Sequence, residues 1–305
     1  MSQITTAEDL RACFRILLGR EPHEDEWGWH KWQIGQPLWR VVESFLGSAE
    51  FASRRQVERK TGVSIAQCAG WRMYVVADDP FGGRGILETG VYEPHVSAVF
   101  RRRLRPGCHV LDIGANIGYY SLLAASVAGP TGSVMAVEPN PRNVRMLLAS
   151  ARLNGFSNIQ VIQSAAAREW GVVVLYTDGS QGSVREPGGE AALLDAETVN
   201  AARLDDILAG RPVDCIKIDV EGYEYEALSG CVNTIRAHRP LIFSEFQPGS
   251  FVGSPEDFLT FLQTEGYALN ILREDGPQRV TRTELWREFS ACGSDHIDLL
   301  LEPHQ

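Results

Sequence analysis

The sequence predicts an α/β protein: a doubly wound, mostly parallel sheet of seven strands, preceded by a small all-α domain. Three observations carry this expectation. From about residue 70, short apolar runs alternate with helical stretches. A glycine-rich turn, Asp112-Ile113-Gly114-Ala115-Asn116-Ile117-Gly118, follows the first buried run, and the next run ends on an acidic residue, Glu138. Strands joined through helices need crossovers, and crossovers make parallel neighbours.

Residues 1–62 read as a separate helical accessory domain. Thr6 and Asp9 form a capping-box pattern, and Leu10, Cys13, Phe14, Leu17 and Leu18 follow at helical spacing. A loop opens at Gly19-Arg20-Glu21-Pro22, and a second stripe runs through Leu38, Val41, Val42, Phe45 and Leu46. Trp27, Trp29 and Trp32 crowd the stretch between; in so small a unit they are expected to form its core. A carbohydrate or partner surface is the alternative.

The larger domain spans 63–305. Its expected strands are Val110–Ile113, Ser133–Val137, Ile159–Ile162, Val213–Asp219, Leu241–Glu245, Ala268–Leu272 and Ile297–Leu301. Helices are expected over Tyr119–Val127, from the Asn140-Pro141 start to Gly155, near 222–237 and over 255–264. Residues 171–203 interrupt the rhythm with a hairpin at Val172–Tyr176 and a loop through Gly188-Gly189, which reads as a lid or a disordered insertion.

With 305 residues, 44% of them hydrophobic and 22% charged, the chain can bury a substantial core. Acidic residues outnumber basic ones, 39 to 29, which argues against nucleic acid as the main partner. The run Arg101-Arg102-Arg103 with Arg105 reads instead as a solvated helix end. No apolar run reaches the ~18 residues of a membrane span, and the first residues lack signal-peptide order, so a soluble, cytoplasmic protein is expected. Six cysteines without a C-x-x-C pair read as free thiols. A homo-oligomer is compatible with the sequence.

In a doubly wound sheet, ligands bind beyond the carboxyl ends of the central strands. The turn after the first strand has the spacing G-x-N-x-G, and Asn116 stands where a pyrophosphate would need bare backbone. Asp112 would repel a diphosphate but suits a cofactor bearing an amino group. Glu138 can accept both hydroxyls of a ribose, a role also found in NAD enzymes. Together these features point to S-adenosylmethionine, with its ribose on Glu138, its aminocarboxypropyl arm near Asp112–Gly118 and its adenine by Ser164 and Ala165.

The segments VLDIGANIGYYSLLAA, AVEPNP, ARLDDIL and CIKIDVEGYEYEALSG, in that order, resemble the FkbM-type methyltransferases over about residues 85–246. The resemblance implies a Rossmann-like (class I) methyltransferase fold. It also implies S-adenosylmethionine-dependent methyl transfer, mostly to oxygen of a sugar or natural product and sometimes to peptide nitrogen. By the same carry-over, Asp112, Gly114, Asn116, Gly118, Glu138 and Asp219 would contact the cofactor. Tyr92, Glu93, Tyr120, Ser121, Pro139, Asn140, Ser164 and Ala165 are the neighbouring candidates. Upstream, Leu17-Leu18-Gly19-Arg20-Glu21-Pro22, Trp32 and Ser48-Ala49-Glu50-Phe51 resemble a small helical module found beside proteins of bacterial glycan assembly, which implies a glycan acceptor.

Transfer to a hydroxyl needs alignment and a destination for the proton. Lys217, Asp219 and Glu221 recur at period two, and Glu245 ends the neighbouring strand, so these four are the candidate catalytic residues. Either Glu221 or Glu245 accepts the proton while Asp219 orients the cofactor, or Asp219 and Glu245 hold a divalent cation; the metal-free version is favoured. Lys217 would neutralise the carboxylates. His95, which opens a helix, is a further candidate base. A small-molecule or glycan acceptor is the expected partner; a binding scaffold and a nicotinamide-dependent oxidoreductase are the rival readings.

Overall fold

The computed structural model describes residues 4–18, 20–51, 62–79, 82–178, 180–184 and 196–304. They fall into two compact units, Met1–Val63 and Ser64–Gln305.

The first unit contains helices Ala7–Leu17, Glu24–His30 and Leu38–Leu46. Thr6 and Asp9 cap the first reciprocally: the Asp9 N–H donates to Thr6 Oγ1 at 3.2 Å and the Thr6 N–H to Asp9 Oδ2 at 2.9 Å. Leu10, Cys13, Phe14, Leu18, Val41 and Phe45 form the core, with Trp27 packed at its edge. Trp29 and Trp32 depart from expectation, since they are 80% and 69% exposed. The core is instead made by the stripes of the first and third helices, with Phe14 and Phe45 in edge-to-face contact at 4.9 Å. Arg20 joins distant segments by donating to Glu26 (2.7 and 2.8 Å) and Glu50 (2.6 and 2.7 Å).

The second unit opens with a hairpin of β1 (Val63–Gln67) and β2 (Arg72–Val76). Then follow β3 (His109–Ile113), β4 (Ser133–Val137), β5 (Ile159–Ile162), β6 (Ala165–Ala166), β7 (Gly171–Asp178), β8 (Gln181–Val184), β9 (Ala196–Ala202), β10 (Cys215–Ile218), β11 (Leu241–Phe246), β12 (Tyr267–Arg273), β13 (Gly276–Val280) and β14 (Ile297–Pro303). The main sheet has the order β13-β12-β14-β11-β10-β3-β4-β5. It therefore has eight strands rather than the expected seven. The addition is β13, a half-exposed edge strand paired antiparallel with β12. Strands β5, β4, β3, β10 and β11 run parallel, and β14 runs antiparallel to β11. Progression reverses between β3 and β10, which creates the crevice where a doubly wound sheet takes its ligand.

Apolar side chains on the two faces of this sheet form two cores, one around Ile216, Ile242 and Leu299, the other around Val110, Phe100 and Phe243. Residues 165–166, 171–178, 181–184 and 196–202 form a second, four-stranded sheet, β6-β9-β7-β8. The expected hairpin is thus present as β7–β8, whereas Gly188-Gly189 lies outside the described residues. All six cysteines are free, with Cys13, Cys108, Cys215 and Cys231 buried. Arg103 pairs with Glu302 at 2.7 Å in the last turn of helix Pro94–Arg103. Among the described residues no helix is long and apolar enough to cross a membrane.

Candidate active site

The crevice opens into a cavity of about 160 Å³ beyond the ends of β3, β4 and β10. Its shape begins with the turn after β3. Gly114 has φ +77°, and a Cβ there would lie 1.9 Å from the Asp219 carbonyl oxygen, so the turn can lean on the end of β10 only without a side chain. Gly118 (φ +96°) starts helix Tyr119–Ala128 and faces Leu147, whose Cγ would be 2.6 Å from an added Cβ. Gly118 therefore seats the helix; it is not in the cavity wall.

Glu138 ends β4 and is almost fully buried. Its Oε2 accepts the Asn116 N–H at 2.8 Å, and its Oε1 accepts the Asn140 N–H at 2.9 Å and Asn143 Nδ2 at 3.3 Å. Two backbone amides thus fix the carboxylate against the cavity. Burial pushes its pKa up to about 7 against the pull of these donors. A carboxylate so held, with acceptor capacity to spare, fits a ribose diol. Asn116 adopts φ +50°, a left-handed turn in which its own Oδ1 accepts the Ile117 N–H at 2.7 Å. Asn140 caps helix Pro141–Leu153 by accepting the Arg142 N–H at 2.9 Å.

Asp112 lies opposite Lys217 in the β3–β10 register. Burial raises its pKa to about 6 although Ser121 Oγ donates to it at 2.5 Å. Lys217 is itself buried: Nζ lies 3.4 Å from Asp219 Oδ2 and 4.9 Å from the centre of the Tyr120 ring. Burial alone would lower the lysine's pKa, but Asp219, Glu93, Asp298 and Glu245 together outweigh it and keep the ammonium charged. Glu93 accepts the Tyr120 hydroxyl at 2.6 Å and is raised by burial, with Lys217 opposing. Glu245 sits beside His296 Nδ1 at 3.2 Å; burial and the Asp219 charge hold its pKa well above the usual carboxylate range. Glu221, at φ +54°, accepts from Gln181 Nε2 on β8. Glu224 closes its own loop by accepting the Val220 and Gly222 N–H groups at 3.2 and 3.3 Å.

Of the residues singled out from the sequence, Tyr92, Asp112, Gly114, Asn116, Tyr120, Glu138, Pro139, Ser164, Ala165, Lys217, Asp219 and Glu221 line this one cavity. Glu93, Gly118, Ser121, Asn140 and Glu245 do not line it; they support or flank its wall. Leu175, Ser180, Gln181, Gly182 and Val184 line it too, so the β7–β8 hairpin closes the side next to Ser164 and Ala165. The hairpin is tied down by Asn143, whose Nδ2 donates to the Ser180 carbonyl at 2.8 Å. Asn143, Gln181, His296 and Asp298 were not singled out from sequence. Asp298 alone left a signal, as a charge inside an apolar strand.

A doubly wound sheet with a carboxylate at the end of β4 and a glycine turn after β3 defines a class I methyltransferase architecture. The family model described as "Methyltransferase FkbM domain" matches residues 112–269, more than half of the chain, and the chain belongs to that family of S-adenosylmethionine-dependent methyltransferases. A curated relative, protein-L-isoaspartate O-methyltransferase 2 of Archaeoglobus fulgidus, is 31% identical over 71 residues, covering 23% of this chain and 32% of its own length. Among solved structures, a methyltransferase FkbM from Methylobacillus flagellatus KT matches at 16% identity and TM-score 0.44, over 95% of this chain and 58% of that one. A precorrin-6y C5,15-methyltransferase from Geobacter metallireducens GS-15 matches at 14% identity and TM-score 0.44, over 78% and 100%. The chain thus spans less than two thirds of the curated relative and of the Methylobacillus protein.

Proposed function

We propose that the chain transfers the methyl group of S-adenosylmethionine to a hydroxyl of a sugar, glycan or glycosylated metabolite. The observation that carries this reading is the division of the crevice. Groups suited to an adenosyl cofactor, namely Glu138, Asn116 and the Ser164–Ala165 segment, gather at the ends of β3–β5. Two carboxylates, Asp219 and Glu221, stand in the cavity wall just past β10, and Glu245 near the end of β11 flanks them outside it. When bound, S-adenosylmethionine supplies an electrophilic methyl group on sulfur.

On this reading Glu138 holds the ribose, Asp112 and the Gly114–Asn116 turn receive the aminocarboxypropyl arm, and Asp219 orients the reacting end. Leu175 and Val184 of the hairpin wall give the adenine apolar surface and exclude water. The carboxylates on β10 and β11 receive hydroxyl hydrogens, which favours a polyol over an apolar acceptor. The exposed faces of Trp29 and Trp32 suit stacking on sugar rings and support a glycan-associated role for the first unit.

Radiolabelled methyl transfer from S-adenosylmethionine to a panel of monosaccharides, lipid-linked glycans and glycosylated small molecules tests the proposal. Label on a sugar oxygen supports it. Label on peptide nitrogen alone, or cofactor binding with transfer to no member of the panel, overturns the acceptor assignment.

A further inference from the structure

The ends of β10, β11 and β14 carry one more pair of ionisable side chains. His95 Nε2 lies 2.7 Å from Asp298 Oδ2. Asp298 faces Glu245 across the antiparallel β11–β14 register, and its side chain is 13% exposed against 33% for His95. The imidazole is therefore the outer, more open partner of a half-buried carboxylate, and Nδ1 has no hydrogen-bond partner among the described residues. His95 enters from helix Pro94–Arg103, immediately after Tyr92 in the cavity wall and Glu93 in the Lys217 cluster.

The position matters. On the methyl-transfer reading the cofactor takes the β3–β5 half of the crevice, which leaves the end of β10 for the second substrate; the His95–Asp298 pair and Glu245 flank that end outside the cavity wall. At that end the carboxylates are already engaged. Asp219 is paired with Lys217, Glu221 accepts from Gln181, and Glu245 lies 3.2 Å from His296 Nδ1. A general base works best with a pKa near the operating pH, which is the range of imidazole.

We propose that His95, oriented by Asp298, takes the proton from the acceptor hydroxyl. The inference rests on the methyl-transfer reading above. As the acceptor oxygen bonds to the methyl carbon, the carbon–sulfur pair passes to sulfur, leaving a neutral thioether. The hydroxyl proton goes to His95 Nδ1, and the resulting imidazolium keeps its Nε2–H on Asp298 Oδ2 until Nδ1 releases the proton to water. Asp298 is a positioning residue: it fixes the tautomer and stabilises the cation.

Asp298 is the ionisable group in contact with the ring, and Glu93, Tyr120, Lys217 and Glu245 act electrostatically on Asp298 in turn, with Asp219 beside Lys217 and His296 beside Glu245. Farther along the packed elements are Arg273, Arg279 and the Arg103–Glu302 pair. Long-range ring NMR on the nitrogen-15-labelled full chain, saturated with S-adenosylhomocysteine, reads the dyad without an acceptor; His95→Gln assigns the signal. The expected spectrum at pH 8 shows Nε2 protonated and Nδ1 bare, and Asp298→Ala, which removes the acceptor of the Nε2–H, populates both tautomers.

With the hydroxyl acceptor found by the radiolabel panel, His95→Gln should lower kcat by about 10²–10⁴-fold and remove the acid limb of the kcat–pH profile. S-adenosylhomocysteine affinity should stay within about threefold, which excludes a folding defect. A protonated Nδ1 in the parent, an unchanged tautomer in Asp298→Ala, or a His95→Gln kcat within threefold of the parent would overturn the proposal. A blank panel counts against the acceptor reading alone, because the ring signals decide the dyad by themselves.

Discussion

Lys217 Nζ lies 3.4 Å from Asp219 Oδ2, and this ion pair, its lysine buried and its carboxylate half-buried, balances a cluster that also contains Glu93, Glu245 and Asp298. Removing the cation would leave carboxylates buried without compensation, a situation that costs about 3–5 kcal/mol. Lys217→Met is therefore expected to lower the melting temperature sharply at pH 8. The loss should shrink at pH 5, where the orphaned carboxyls take up protons. Thermal unfolding of both proteins across that pH range checks it.

On the proposed reading, Glu138 is held for a ribose at a cost to the stability of the ligand-free fold. Its folded-state pKa of about 7 lies above the ordinary 4.5, so its ionisation destabilises the ligand-free protein. That penalty is absent below about pH 4.5, grows as pH rises, and is complete above about pH 7. Glu138→Gln should accordingly be more stable than the parent at pH 8 without ligand, with the difference closing toward pH 5. The same variant should bind S-adenosylhomocysteine about 10–100-fold more weakly, the worth of one charge-assisted contact. Denaturant titration and calorimetry measure the two effects separately.

Gly114 and Gly155 both have positive φ, +77° and +67°, but differ in what surrounds them. A Cβ at Gly155 meets nothing within 4 Å, while one at Gly114 collides with the Asp219 carbonyl. Gly155→Ala should cost only the left-handed backbone penalty, about 1–2 kcal/mol. Gly114→Ala should cost more and should also abolish cofactor binding, because the turn must part from β10. A thermal melt with and without S-adenosylhomocysteine distinguishes the pair.

In the first unit, Phe14 is 1% exposed, whereas Trp29 is 80% exposed. Phe14→Ala is expected to destabilise that unit by about 3–5 kcal/mol. Trp29→Ala and Trp32→Ala should stay within about 0.5 kcal/mol of the parent. Urea unfolding of the full chain, followed by amide exchange in residues 4–51, tests the contrast.

Strand ends and turn chemistry made much of the crevice legible. Glu138 and Asp219 each follow an apolar run and Asp112 interrupts one near its end, and position in a parallel sheet alone brings such residues together. Other features leave no periodic trace. β13 is Gly276-Pro277-Gln278-Arg279-Val280, a polar edge strand, and only its pairing with β12 defines it. The tryptophans lie on a seven-residue helix and a 3₁₀ turn, too short for spacing to say which side faces inward. Asp298 reads as an interruption in an apolar strand until the register sets it against Glu245 and His95 arrives from a segment 203 positions away. Gln181 meets the cavity, and Asn143 ties down the hairpin beside it, only because a separate small sheet folds back over the crevice.

The central claim is that this crevice is an S-adenosylmethionine site, and parallel thermal-shift measurements with S-adenosylmethionine, S-adenosylhomocysteine and NAD test it most directly. A ligand at a hundredfold its Kd adds about 2.7 kcal/mol to native stability, a rise of a few degrees for a domain of this size. The expected result is a shift with the first two ligands that is lost in Glu138→Gln, and none with NAD. A shift with NAD alone, or equal shifts in the parent and Glu138→Gln, would contradict the assignment of the crevice.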